Sequence, residues 1–150
     1  MYTIEELRFF MQMAYEEALA AFHADEVPVG AVVVKEGELI ARASNLTVKT
    51  KDPTAHAELL AIRKAAQVLG NERLVGCELL STLEPCTMCT GALLFARIRK
   101  VYFLADELRQ PALRQVVQLQ GHNHTIEWEK LSLPGLDSSA LLRRYFASKR

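Results

Sequence analysis

The 150-residue sequence predicts one α/β domain of three layers, with a central five-stranded mixed sheet and helices on both faces. Three observations predict it. The run Val27 to Val34 is β-branched and continuously apolar, as in a strand covered on both faces. A polar turn, Lys35-Glu36-Gly37-Glu38, returns the chain into a second such run, which makes a hairpin. From there strands alternate with helices, and that alternation implies parallel crossovers. The length suits one domain that can bury a real core.

The elements follow in order. Thr3-Ile4-Glu5-Glu6 is a capping box, since Thr3 can accept from the Glu6 amide while Glu6 reaches back. Leu7, Phe10, Met11, Ala14, Ala18 and Phe22 then recur at helical spacing, so a first helix runs to about Ala24. Leu39 to Ser44 is the second strand, and the polar stretch Asn45 to Pro53, ending in Asp-Pro, is a loop. From Thr54 the run AHAELLAIRKAAQVL is rich in helix formers and stops at Gly70. Cys77 to Leu83 is a third strand, and Pro85 to Ile98 a third helix with proline in its permitted first turn. Val101 to Ala105 is a fourth strand. Beyond Asp106 the run ELRQPALRQVVQLQ is helical in composition but contains Pro111, so a short or broken helix is expected. Thr125 to Leu131 is the fifth strand, and Asp137 or Ser138 caps a last helix that runs to Lys149-Arg150.

Composition removes several classes. Half the residues are hydrophobic and 24% charged, as in a folded globular protein. The first residues lack a basic stretch followed by an apolar one, and no apolar run is long enough to span a bilayer, so a cytoplasmic protein is expected. Three cysteines without a secretion signal argue for reduced thiols rather than disulfides. The formal net charge is zero, so any nucleic-acid binding needs a local basic patch.

Cys86 and Cys89, in the stretch TLEPCTMC, have three possible readings: a redox pair, part of a closed structural zinc site, or part of a catalytic one. A redox pair ordinarily follows the first strand of a small βαβ unit, and this one follows the third strand. A closed site needs four protein ligands, and three cysteines cannot supply four thiolates. Among the histidines, His122 and His124 are too closely spaced for a finger-type site. His23, late in an amphipathic helix, reads as a partly buried or capping residue. His56 stands at the start of the second helix, two residues before Glu58. Positions i and i+2 lie on nearly opposite sides of a helix, so this pair can address one point only off the helix N-terminus. Cys86 and Cys89 have i, i+3 spacing at another helix start, where the positive end of the dipole favours thiolate. One imidazole and two thiolates leave a fourth tetrahedral position for water, and Glu58 beside that water has work to do as acid and base. Taken singly, Glu58 reads as a solvated helix residue, His56 as a satisfied polar one, and Cys77 as a small buried side chain.

His-Ala-Glu followed by Pro-Cys-x-x-Cys is the signature of zinc-dependent nucleobase deaminases. The chain resembles the bacterial tRNA adenosine deaminases in Glu26 to Val34 (EVPVGAVVV), Asp52 to Glu58 (DPTAHAE), Thr82 to Cys89, Gly91-Ala92, Arg97-Ile98 and a Tyr145-Phe146 pair. The resemblance covers most of the first two thirds of the chain. It implies a cytidine deaminase-like fold, zinc held by His56, Cys86 and Cys89, and Glu58 as the proton shuttle. It further implies that Asn45 contacts the target nucleoside and that backbone around Val29, Ala55, Leu83 and Glu84 lines the pocket. The implied reaction turns adenosine at the wobble position of a tRNA anticodon stem-loop into inosine. Glu58 would accept a proton as hydroxide forms, protonate N1 as C6 is attacked, and relay a proton to the departing ammonia. The family resemblance also implies a homodimer. Deamination of a free base of guanine or cytosine type, and a non-catalytic zinc-stabilised RNA-binding subunit, are the alternatives.

After the fourth strand the family's alanine- and glycine-rich segment with an arginine-aspartate pair is replaced by Ala105 to Leu113 (ADELRQPAL), which has no glycine. Basic residues gather instead at the C-terminus, where Arg143, Arg144, Lys149 and Arg150, with Tyr145 and Phe146, form a candidate RNA-binding face.

Overall fold

A computed structural model describes residues 1–119 and 121–149. The elements are α1 (Ile4–His23), β1 (Gly30–Lys35), β2 (Glu38–Ser44), α2 (Thr47–Thr50), α3 (Ala57–Leu69), β3 (Cys77–Leu83), α4 (Thr87–Ala96), β4 (Lys100–Ala105), α5 (Leu113–Val116), β5 (Glu127–Lys130) and α6 (Ser138–Ala147). The five strands form one sheet in the order β2-β1-β3-β4-β5. β1 pairs antiparallel with β2 and β3, whereas β4 runs parallel to β3 and β5 parallel to β4. The mixed five-stranded α/β sheet expected from the sequence is the one observed.

The period of two along each strand distributes the core between two layers. Ala31, Val33, Leu79, Val101 and Phe103 face α3 and α4, where Ala57, Ala61, Ala65, Leu93 and Leu94 meet them. Val32, Val34, Leu80, Tyr102 and Leu104 face the other way, onto Leu7, Phe10, Met11 and Ala14 of α1 and onto Leu131, Leu133 and Leu136. Both faces of β1 and β3 are thereby buried, which is why β1 reads as an apolar run up to Lys35, while β3 buries Glu78, Ser81 and Thr82 among its apolar residues.

Local signals set the start of α1, the start of α6 and the end of α3. At α1 the Glu6 amide donates to Thr3 Oγ1 at 3.1 Å and the Thr3 amide to Glu6 Oε1 at 2.9 Å, completing the capping box. Asp137 caps α6 by accepting from the Ala140 amide at 2.9 Å. Gly70 ends α3 in the left-handed conformation.

Several boundaries move from their expected places. β1 begins at Gly30 rather than Val27, because the Gly30 amide donates across to Thr82 Oγ1 and the preceding three residues turn toward the carboxyl end of β3. The loop after β2 contains a single helical turn, α2. α3 begins at Ala57, since Asp52 accepts from both the amide and the hydroxyl of Thr54 and holds that residue in a turn. α4 begins at Thr87, which leaves Pro85 outside the helix with its carbonyl accepting from the Leu113 amide. Between Asp106 and Leu119 only Leu113–Val116 is helical, and β5 shortens to four exposed residues.

Gly30 has a packing role. A Cβ there would sit 1.9 Å from the Ala14 carbonyl oxygen and 2.7 Å from the Ala18 nitrogen, both backbone atoms of α1. The helix thus lies directly on the start of β1. Gly30→Ala is expected to lower unfolding stability by at least about 3 kcal/mol in urea titration, because neither backbone can yield without separating the layers. A loss under about 1 kcal/mol would contradict this close approach.

Candidate active site

α3 and α4 both start at the carboxyl end of β3, and their first residues converge on one cleft. His56 is the residue before the first turn of α3 and Cys86 the residue before that of α4, with Cys89 inside the helix. The expectation that both cysteines lie within the first turn is therefore corrected for Cys86. Its extended backbone (φ −71°, ψ 178°) turns its sulfur toward the one on the helix. His56 Nδ1 lies 3.6 Å from Cys86 Sγ and 3.6 Å from Cys89 Sγ. All three donor atoms fall within 4.8 Å of one another. A tetrahedral zinc ion with ordinary Zn–N and Zn–S bonds holds N and S about 3.6 Å apart, so the donor set fits that ion in both chemistry and spacing.

The protons of the donor set are shared. A hydrogen bond from Cys89 and, after it, the neighbouring His56 bring the Cys86 thiol down to about 4. Cys89 is pushed up, because it donates to the Cys86 sulfur and is buried. Contact with Cys86 raises His56 above the usual imidazole range. Coordination needs both sulfurs as thiolates and the imidazole neutral, so metal uptake releases the protons this set holds.

Glu58 occupies the first turn of α3 and is only 3% exposed. Burial pushes its carboxyl up to about 7, so it can give and take protons at neutral pH. It lines the same cleft as His56 and Cys86.

Val29, Asn45, Leu83 and Glu84 also line this cleft. Ala55 is buried behind it, where its carbonyl accepts from the Leu46 amide. The expectation for Glu84 concerned its backbone, and the amide donates to the Ala105 carbonyl at 2.8 Å. Its side chain does more. Fully buried, it accepts from the Arg114 amide (3.0 Å), Nε (3.1 Å) and Nη2 (2.9 Å), and from the Glu107 amide (3.3 Å). Arg114 Nη2 donates also to Asp106 Oδ1 at 2.8 Å, and its guanidinium stacks near Phe103 and Trp128.

That network brings Glu107, Arg109 and Gln110 into the cleft wall, residues for which the sequence carried no signal. Glu107 is itself 8% exposed and accepts from the Arg109 amide at 2.8 Å. The segment after β4 is thus a wall of the site. Arg114→Ala is expected to cost about 2 kcal/mol, since the Glu84 charge loses its bidentate partner but keeps two backbone amides. Thermal unfolding measures it, and an unchanged midpoint would show that the pair stabilises nothing.

The C-terminal candidates divide. Arg143 is exposed beside a second cavity that shares Leu83, Glu107 and Arg109 with the cleft, and Phe146 lines that cavity with the Arg109 guanidinium 4.9 Å from its ring. Arg144 stacks on Phe22, Lys149 pairs with Asp25, and Tyr145 is buried with its hydroxyl donating to the Asp25 carbonyl. Arg150 lies outside the described residues.

An open three-ligand metal site beside a buried carboxyl, at the strand ends of a mixed α/β sheet, defines a hydrolase of the metal-dependent kind. The description "cytidine and deoxycytidylate deaminase zinc-binding region" matches residues 4–105, and the chain belongs to that family. The tRNA-specific adenosine deaminase of Aquifex aeolicus is 44% identical over 95% of this chain and 95% of its own. A solved tRNA deaminase, described in work on A-to-I editing at the wobble position of transfer RNA, is 42% identical with a TM-score of 0.84. The match covers 89% of this chain and 99% of that one. The guanine deaminase of Bacillus subtilis is 34% identical with a TM-score of 0.64, over 95% of this chain and 96% of its own.

Proposed function

We propose that this enzyme hydrolyses adenosine to inosine and ammonia at the wobble position of a tRNA. One observation carries the chemistry: an open His56–Cys86–Cys89 donor set with tetrahedral spacing shares its cleft with the buried Glu58 carboxyl. Zinc bound there supplies the Lewis acidity that brings water toward ionisation at neutral pH. Glu58 takes the water proton, delivers it to N1 as C6 is attacked, and hands a further proton to the departing ammonia. Val29, Asn45 and Leu83, with backbone at Ala55 and Glu84, hold the nucleoside. The similarity to tRNA-specific adenosine deaminases over nearly the whole chain supports the choice of substrate.

The cleft accepts a base only when it is out of its stack, and a single-stranded anticodon loop presents one at low cost. Arg143 and Phe146, beside the adjoining cavity, are the residues of the C-terminal face best placed to meet the flanking strand. With the exposed Arg144 and Lys149 they form the proposed RNA face, although those two already hold intramolecular partners, and Tyr145 is buried beneath it. Phe95, 85% exposed on α4 next to Ile62, Ala66 and Ala92, suits the second copy of a homodimer acting in the cytoplasm. No helix among the described residues is long and apolar enough to cross a membrane.

Deamination of a free base is the second reading. The acid-bearing wall Glu107–Gln110 and the likeness to a guanine deaminase favour it. The deciding experiment gives zinc-loaded protein an anticodon stem-loop with adenosine at the wobble position, in parallel with free guanine and cytosine. Inosine in the hairpin supports the first reading. Ammonia from a free base, with the hairpin untouched, replaces it with the second.

A further inference from the structure

Glu26 is an acidic residue at the head of an apolar run, yet it is 1% exposed and no step of the reaction uses it. Its two oxygens are both occupied. Oε1 accepts from the Val48 amide at 2.9 Å and Oε2 from the Lys49 amide at 2.7 Å, so the carboxylate ties down the one-turn helix α2. Oε1 also lies 3.5 Å from Asn45 Nδ2. Asn45 itself is 5% exposed and lines the cleft.

An ionised carboxylate only accepts hydrogen bonds, so the side of the Asn45 amide that faces Glu26 must be its NH2 group. Thr47 Oγ1, 3.3 Å from the same nitrogen, takes the other hydrogen. Among the described residues none donates to Asn45 Oδ1. With the nitrogen held on one side, the carbonyl oxygen is left for the cleft. A reversed amide would set two oxygens against each other in a buried place, an unpaired arrangement of the costly kind.

We propose that Glu26 is a positioning residue that locks the Asn45 amide with its carbonyl oxygen toward the cleft, so that Asn45 selects a hydrogen-bond donor on the substrate. Glu26 itself touches no reacting atom. In adenosine the donors other than the departing amine are the ribose hydroxyls, so the device favours a ribonucleoside over a bare ring acceptor. This rests on the reading of Asn45 as a substrate contact.

The test is a polarity exchange in the full zinc-loaded protein. Asn45→Asp keeps an oxygen toward the cleft but sets two carboxylates together, and kcat/KM for hairpin deamination is expected to fall at least about tenfold. Adding Glu26→Gln supplies an amide that donates to the new carboxylate. The double variant is therefore expected to exceed Asn45→Asp alone by about tenfold, a rescue that a merely structural role would not produce. Zinc content per chain stays at the wild-type level throughout, which certifies the fold. Should Asn45→Asp fail to hold zinc, Asn45→Ala takes its place, and Glu26→Gln is then expected to have no further effect in that background. Losses that multiply in either cycle overturn the proposal. If zinc-loaded wild type releases ammonia only from a free base, the adenosine reading fails, and the same four proteins are compared on that base.

Discussion

Glu58→Ala is expected to lower inosine formation about a thousandfold while zinc stays bound at the wild-type stoichiometry. The first part follows from the Glu58 carboxyl, which burial pushes up to about 7, since a positioned acid-base group contributes about two to four powers of ten. The second follows because no ligand atom is removed: His56 Nδ1 and the two sulfurs remain 3.6 Å apart. Metal analysis and a single-turnover assay measure both. A variant that loses zinc together with activity would make Glu58 a structural support of the site. Equal behaviour of variant and wild type on every substrate would favour a non-catalytic, zinc-stabilised RNA-binding subunit.

His56→Ala should abolish both activity and stable zinc binding, and chelation of the wild type should mimic it. The donor set is assembled from two helix starts that pack side by side, so a bound ion also cross-links α3 to α4. At an ion concentration a thousandfold above the dissociation constant, binding to the folded state alone adds about 4 kcal/mol. For a domain of this size that corresponds to a fall of about 10 °C in Tm on chelation. Restored zinc should return both Tm and activity. An unchanged Tm after complete removal would mean that the site is held by the protein core alone and that the ion contributes only chemistry.

Some of this is plain from the chain alone. The capping box of α1, the stop at Gly70 and the cap at Asp137 arise between residues three or four apart, and such short-range geometry is carried by the letters themselves. The pairing of His56 with Glu58 at one cleft was legible for a related reason. Two positions on opposite sides of a helix can serve one point only beyond its end, and His56 does stand just outside α3 with Glu58 in the first turn. The thiolate preference expected of both sulfurs at a helix start divides between them: Cys86, one step outside the helix, is brought down chiefly by the hydrogen bond from Cys89, and Cys89, inside it, is pushed up.

The segment after β4 was not legible. Asp106 to Leu119 has helical composition, but helical structure survives only over Leu113–Val116, and what shapes the rest is a carboxylate far away in sequence. Glu84, next to the metal-binding motif, reaches Arg114 across thirty positions and draws Glu107 and Arg109 into the cleft wall. The same holds for Glu26, which looked like one acid before an apolar strand and proved to tie down α2 and the Asn45 amide.

Taken by itself, the sequence determined the layers and the strand alternation and picked out His56, Cys86 and Cys89, which the fold brings close enough to hold a metal, together with Glu58 beside them, because periodicity, capping and ligand spacing are local properties. Tertiary structure alone decided the walls of the cleft and the direction in which Asn45 presents its amide. Those depend on buried carboxylates finding every donor they need, and a buried charge takes its partners from wherever the fold brings them, without regard to distance along the chain.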